Sequence, residues 1–238
     1  MTFWKETKRL ARLWLRVFRD WRSGERRKFA RSKTAPNGLA DWHCLSLTQP
    51  IRPGEALENK LTNLGLACSA IDGLVLQPGE AFSFWAAVGR PSERRGFRRS
   101  RNIVQGRLSA EVGGGLCQVS GIVYQLALTA GLAIRERHAH SIDIYTEEER
   151  VAPLGADATV VYGYKDLRWA NPHPFPLVLR FAISRSALTF SVFSQKRIPP
   201  KNILFRRGRV GERETVETLE MAEGGSEQLL AVSGYGRL

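Results

Sequence analysis

Long apolar runs are missing from this chain of 238 residues. No stretch approaches ~18 apolar residues, so no helix is expected to cross a bilayer. The first residues also lack the uninterrupted apolar stretch and small-residue cleavage site of a secretion signal. Cysteine is scarce: Cys44, Cys68 and Cys117 are an odd number without metal-type spacing. That argues against a disulfide framework and for a reduced, cytoplasmic setting. There is no internal repeat, no helix-turn-helix pattern and no basic strand interleaved with aromatics. The formal charge of +13 is therefore not read as a nucleic-acid surface.

The charge is concentrated. Residues 1–33 hold 12 Lys or Arg against Glu6, Asp20 and Glu25, leaving the rest of the chain only mildly basic. Phe3, Leu10, Trp14, Val17, Phe18 and Trp21 share one helical face, and Lys5, Lys8, Arg9, Arg12, Arg16 and Arg19 take much of the remainder. This pattern predicts a basic amphipathic helix over residues 3–21. It has two readings: it lies on an anionic membrane surface, which for a cytoplasmic protein is the inner face, or it packs its Trp stripe on the domain. Residues 22–40, with Pro36 and Gly38, read as a linker, so helix and linker occupy 1–49 and the domain proper 50–196. The stretch 197–238 opens on basic residues and Pro199-Pro200 and becomes Glu-rich, the composition of a poorly ordered extension.

Within the domain, periodicity predicts a helix over about residues 56–72, then a strand ending at Leu76 and the turn Gln77-Pro78-Gly79-Glu80. Residues 90–107 carry seven arginines and few periodic hydrophobes, which reads as a long loop. It is either a solvated basic loop or one wall of a site for a carboxylate or phosphate, with Arg98, Arg99 and Arg101 as its candidate substrate-binding cations. After those glycines, Val119, Ile122, Val123, Leu126, Ala127 and Ala130 recur at helical spacing, with Gly131 placed to end the run. Residues 133–144, 159–164, 175–183 and 188–193 read as strands, the last two joined by Ser184-Arg185-Ser186. The expectation is an α+β domain in which a central helix headed by Cys117 packs on an antiparallel sheet.

Gly113, Gly114 and Gly115 permit backbone conformations closed to other residues and can present N–H groups to a ligand. Cys117 then falls at a helix N-terminus, where the dipole and free amides favour thiolate. A thiolate nucleophile needs a base, and His138 and His140 follow on the next expected strand, sharing one face. Either can serve. Asp157 and Asp166 are the candidates to orient the imidazole, and Gln118 with backbone amides would polarise a carbonyl. Two rivals stay open: Cys117, His138, His140 and an Asp as zinc ligands, or Cys117 as a packing residue with structural histidines. The expected site holds no metal or cofactor.

The order of helix-borne Cys, strand-borne His and later Asp resembles the transglutaminase-like and papain-like thiol enzymes, although the aromatic residue common after their catalytic His is missing here. A closer resemblance is carried by Asn59-Lys-Leu-Thr-Asn-Leu64, Pro78-Gly-Glu-Ala-Phe-Ser-Phe-Trp85, Val88-Gly-Arg-Pro91, Gly113-Gly-Gly-Leu-Cys-Gln-Val-Ser120, Glu136-Arg-His-Ala-His-Ser141, Gly155-Ala-Asp-Ala158 and Tyr164-Lys-Asp-Leu-Arg-Trp-Ala-Asn-Pro172. On these stretches the domain resembles the VanW family, named for an accessory protein of glycopeptide-antibiotic resistance clusters. The resemblance implies a bacterial protein linked to the cell envelope and peptidoglycan, but supplies no reaction. Combined with the residues, it points to a thiol-dependent acyl transferase or amidohydrolase on a peptide or cell-wall-related substrate. The competing expectation is a non-catalytic module that binds an anionic envelope component.

Overall fold

The computed structural model describes residues 2–33, 38–54, 56–104, 107–143, 145–222 and 224–237, without the side chains of residues 2–6, 8, 9, 101–110 and 237. In chain order its elements are α1 (Thr2–Arg22), α2 (Glu25–Lys28), β1 (His43–Pro50), α3 (Leu57–Ile71), β2 (Val75–Leu76), β3 (Ala81–Ser83), α4 (Phe84–Val88), β4 (Arg99–Val104), β5 (Arg107–Val112), α5 (Leu116–Thr129), β6 (Ala133–Glu136) and β7 (Ile142–Asp143). There follow β8 (Arg168–Ala170), β9 (Leu177–Ile183), β10 (Ala187–Ser194), β11 (Asn202–Val210), β12 (Arg213–Met221) and β13 (Glu227–Arg237).

The fold is α+β. Period-two patterning makes β10 a half-buried strand: Leu188, Phe190 and Val192 point inward while Thr189, Ser191 and Phe193 stay partly exposed. It pairs antiparallel with β1 and β9 in a sheet of order β1-β10-β9-β2. The inward face meets α5, whose Val119, Ile122, Val123 and Ala127 have no exposed surface, and α3 covers the other side of that helix. Each large aliphatic buried this way contributes about 1.5–3 kcal/mol of transfer free energy, which makes α5 the organising element of the core. A second sheet, β3-β8-β6, adds Trp169 stacked on Phe82 at 5.0 Å between ring centroids.

Several segments depart from the sequence reading. The arginine-rich stretch is not one long loop: β4 and β5 form a hairpin that pairs Arg99 with Val112. Residues 22–40 do not simply link, because Phe29 bridges Ala81 in parallel and the Val75 N–H donates to the Ser32 carbonyl. β1 begins upstream of Pro50 and lies along the whole of β10.

The stretch after Lys196 is built into the fold as β11, β12 and β13, and β13 also pairs parallel with β7. Its Glu-rich composition masks a period of two that buries Val216 and Thr218. Residues 137–141 and 159–164, expected as strands, are irregular apart from the Val161–Lys165 bridge. Their backbone groups are engaged by side chains instead: the His140 N–H donates to the Asp157 carboxylate, and the Asp157 carbonyl accepts from Arg137.

Gly155 ties the C-terminal strands to this irregular region. Its φ is +96°, and an added Cβ would lie 2.6 Å from Val216 Cγ1 and 2.9 Å from Phe205 Cδ1. Gly155→Ala is expected to cost about 2–3 kcal/mol through strain and overpacking, read as a lowered urea midpoint. An unchanged midpoint would mean that the strands do not pack here.

Candidate functional site

The glycine turn sets up the site. Gly113 and Gly115 have φ of +83° and +96°, and a Cβ on Gly113 would stand 2.9 Å from Pro91. Gly115 thus caps α5 in the left-handed conformation, and the chain turns directly into the helix at Leu116. A fully buried side chain fixes the turn: Asn63 donates to the carbonyls of Gly114 (2.9 Å) and Arg98 (3.0 Å) and accepts from the Arg98 N–H (2.8 Å). Asn63 lies within the motif Asn59–Leu64, which does not by itself reveal this role. A buried Asn needs such partners, so its position in an amphipathic helix was the available signal.

Cys117 is half-buried in the first turn of α5. Its sulfur lies 3.6 Å from Thr159 Oγ1, with the His140 imidazole close enough to act on it electrostatically. The Thr159 region is held against the helix by Ser120, which donates to the Ala158 carbonyl at 2.6 Å. His140 in turn places Nδ1 2.6 Å from Asp157 Oδ2. Of the alternatives left open by the sequence, the structure brings together Cys117, His140 and Asp157.

His138 turns elsewhere, with Nε2 2.8 Å from Glu136 Oε1. Asp166 is buried in a separate cluster, where it accepts from Ser83 (2.6 Å), the Trp85 N–H (3.1 Å) and Arg168 (2.8 Å). The Gln118 amide, expected to polarise a carbonyl, donates to the Pro50 carbonyl at 2.9 Å and pins α5 to the end of β1. Among the described residues no group of three His, Cys, Asp or Glu is arranged to hold a metal ion. Arg98 and Arg99 flank the glycine turn, exposed, beside a cavity of about 410 Å³ that they line with Asn59, Glu93, Gly96 and Phe97. The side chain of Arg101 lies outside the described residues.

Two residues not singled out from the sequence complete the site. Arg137 donates to both the carboxylate (2.9 Å) and the carbonyl (2.7 Å) of Asp157 and lies 4.9 Å over the Tyr124 ring. Tyr235, from β13, donates to Asp157 Oδ1 at 2.5 Å. Arg137 sat inside a flagged motif. Tyr235 had no comparable signal, because its stretch read as disordered.

The electrostatics follow from these partners. Burial alone would push the Asp157 carboxyl up, but the His140 hydrogen bond and the Arg137 charge hold it well below the usual range. Burial would likewise lower His140, yet its bonds to Asp157 and Cys117 raise it to about 10. The Cys117 thiol is raised by burial and lowered more by His140, the Val160 N–H and Thr159, so its net shift is downward. The arrangement favours a thiolate beside an imidazolium.

A raised His140 stabilises the fold fully below its ordinary value of ~6.5, and that contribution is lost as pH rises through about 10. A lowered Asp157 stabilises fully above its ordinary value of ~3.9 and loses the contribution as pH falls.

The family described as VanW like protein matches residues 59–193, more than half of the chain. The chain is similar to the uncharacterized protein YoaR of Bacillus subtilis, with 36% identity over 132 residues, covering 56% of this chain and 42% of that protein. It is also similar to the vancomycin B-type resistance protein VanW of Enterococcus faecalis, with 29% identity over 178 residues, covering 71% of this chain and 65% of that protein. In both cases it spans less than two thirds of the relative's length. No solved structure matches it.

The thiolate pair has a direct chemical readout. In a Cys44→Ser background, which removes the exposed thiol, iodoacetamide should alkylate Cys117 with a pH midpoint below the ordinary thiol value of ~8.5. His140→Ala should move that midpoint upward. Cys68, pushed up to about 12 by burial and by Asp72, should stay unmodified in the folded protein. An identical midpoint in both proteins would dissociate the thiol from His140.

Proposed function

Because the chain belongs to the VanW family and brings Cys117, His140 and Asp157 together, we propose that it is a thiol-dependent acyl transferase or amidohydrolase acting on a peptide or cell-wall-related substrate. The observation that carries this reading is the placement of the His140 ring, whose Nδ1 lies 2.6 Å from Asp157 Oδ2 while the imidazole also acts on the helix-borne thiol. That is the geometry a nucleophile, its base and an orienting carboxylate require, and it resembles the transglutaminase-like and papain-like arrangement. The relative named for vancomycin resistance supports a cell-envelope substrate.

In this reading the Cys117 thiolate attacks the carbonyl carbon of an amide and forms a C–S bond. The oxyanion is met by backbone N–H groups at the first turn of α5, where a helix leaves its N–H groups without intrahelical acceptors. His140 donates its proton to the departing amine as the C–N bond breaks, leaving a thioester. Water or a second amine then attacks that thioester, giving its proton to His140, and the thiolate is released. Asp157 holds the imidazole in register and stabilises its charge throughout. Arg137 and Tyr235 are positioning residues that act through Asp157.

A second reading rests on the cavity lined by Arg98 and Arg99: a non-catalytic module that binds an anionic envelope component. The two are separated by mass spectrometry of the protein incubated with peptidoglycan-derived peptides. The enzyme reading predicts amide cleavage or transfer, with a thioester adduct on Cys117, and loss of turnover by at least ~10³-fold in Cys117→Ala and His140→Ala. A Cys117→Ala protein with full biological activity would exclude nucleophilic catalysis and leave the binding module.

A further inference from the structure

α1 docks on the domain through its charged side rather than its apolar one. Arg16 pairs with Glu136 and donates to the Tyr164 carbonyl at 3.0 Å, and the Arg12 guanidinium lies 4.7 Å from the Tyr164 ring centroid. Asp20, buried, accepts a two-pronged pair of bonds from Arg168 at 2.6 and 2.9 Å. These residues, spaced by four, fix one stripe of the helix to the body. The opposite stripe faces solvent: Trp14 is 69% exposed, Phe18 58% and Trp21 67%, with Leu10 and Leu15 beside them. Of the two readings of this helix, packing of the Trp stripe on the domain is thus not the one the structure shows.

A contiguous exposed face of large aromatics marks an interaction surface. Its flanks say of what kind. Arg19 and Arg22 in the last turn are exposed, as are Arg26 and Arg27 just beyond it. Asp20, the one acid among the described side chains of α1, is buried against Arg168. A second copy meeting this face by its own equivalent would put two sets of these arginines into one interface, with no exposed acid among the described side chains of α1 to pair them.

We propose that the exposed face of α1 docks the protein on an anionic lipid bilayer surface, with Trp14, Phe18 and Trp21 entering the headgroup boundary and Arg19 and Arg22 facing the lipid phosphates. Tryptophan suits this boundary, with an apolar ring body and a polar N–H. The helix would lie in the surface plane: among the described residues no helix is long and apolar enough to cross a membrane. The domain would hang from it through the Arg16 and Asp20 contacts, which the face does not use.

The test is co-sedimentation of the full chain with vesicles of phosphatidylcholine containing phosphatidylglycerol, against vesicles of phosphatidylcholine alone. Binding to the anionic vesicles should be about tenfold tighter or more, and should weaken with salt. A Trp14→Ser/Phe18→Ser/Trp21→Ser variant should lose it, as should Arg19→Glu/Arg22→Glu. Failure of the full chain to bind anionic vesicles overturns the proposal, as does undiminished binding of the aromatic variant. A wild-type dimer that the aromatic variant converts to monomer, without vesicle binding, assigns the face to a second copy instead. If the aromatic variant does not fold, the arginine variant decides, and its unchanged binding to anionic vesicles overturns the proposal.

Discussion

The Asp157 carboxylate is the constraint on which the rest of the site depends. A carboxylate withdrawn from water is tolerated only when its lone pairs are met by donors, and here four hydrogen bonds do so: from the His140 backbone, the His140 ring, Arg137 and Tyr235. These donors come from two distant parts of the chain. By satisfying one anion they are brought to one place, with the His140 ring aimed at the head of α5. The apolar clusters supply the driving force for collapse, but apolar burial does not direct an imidazole. The carboxylate does.

The same short segment serves two networks. Glu136 and His138 turn to one side, where Glu136, held down to about 2 by its bonds from His138 and Arg16 against the opposing effect of burial, joins α1 to the body. Arg137 and His140 turn to the other and complete the site. Residues 137–141 cannot serve both as a regular strand, whose alternation would put His138 and His140 on one face. Their irregularity separates the two histidines and leaves one of them for Cys117.

Much of this was legible in the sequence where local rules operate. The helix headed by Cys117 followed from apolar spacing after three glycines, and β9 and β10 from alternation around Ser184-Arg185-Ser186. Cys117, His140 and Asp157 were all candidates. What could not be read was the choice between His138 and His140, and between Asp157 and Asp166, because both depend on contacts made across the fold. Tyr235 was hidden for a different reason: glutamates and glycines dominate the composition of its region, although Val216, Thr218 and Tyr235 keep an inward face. The Trp stripe of α1 was seen but its direction was not, since only the ion pairs of Arg16 and Asp20 decide which side of the helix meets the body.

Held by a carboxylate and beside a thiol that loses its proton readily, His140 should carry a proton at neutral pH. Nuclear magnetic resonance titration of its imidazole tests this without any substrate. His140 should stay an imidazolium through neutrality and deprotonate only toward about pH 10. Titration near the ordinary histidine value of ~6.5 would contradict it and leave Cys117 without its partner.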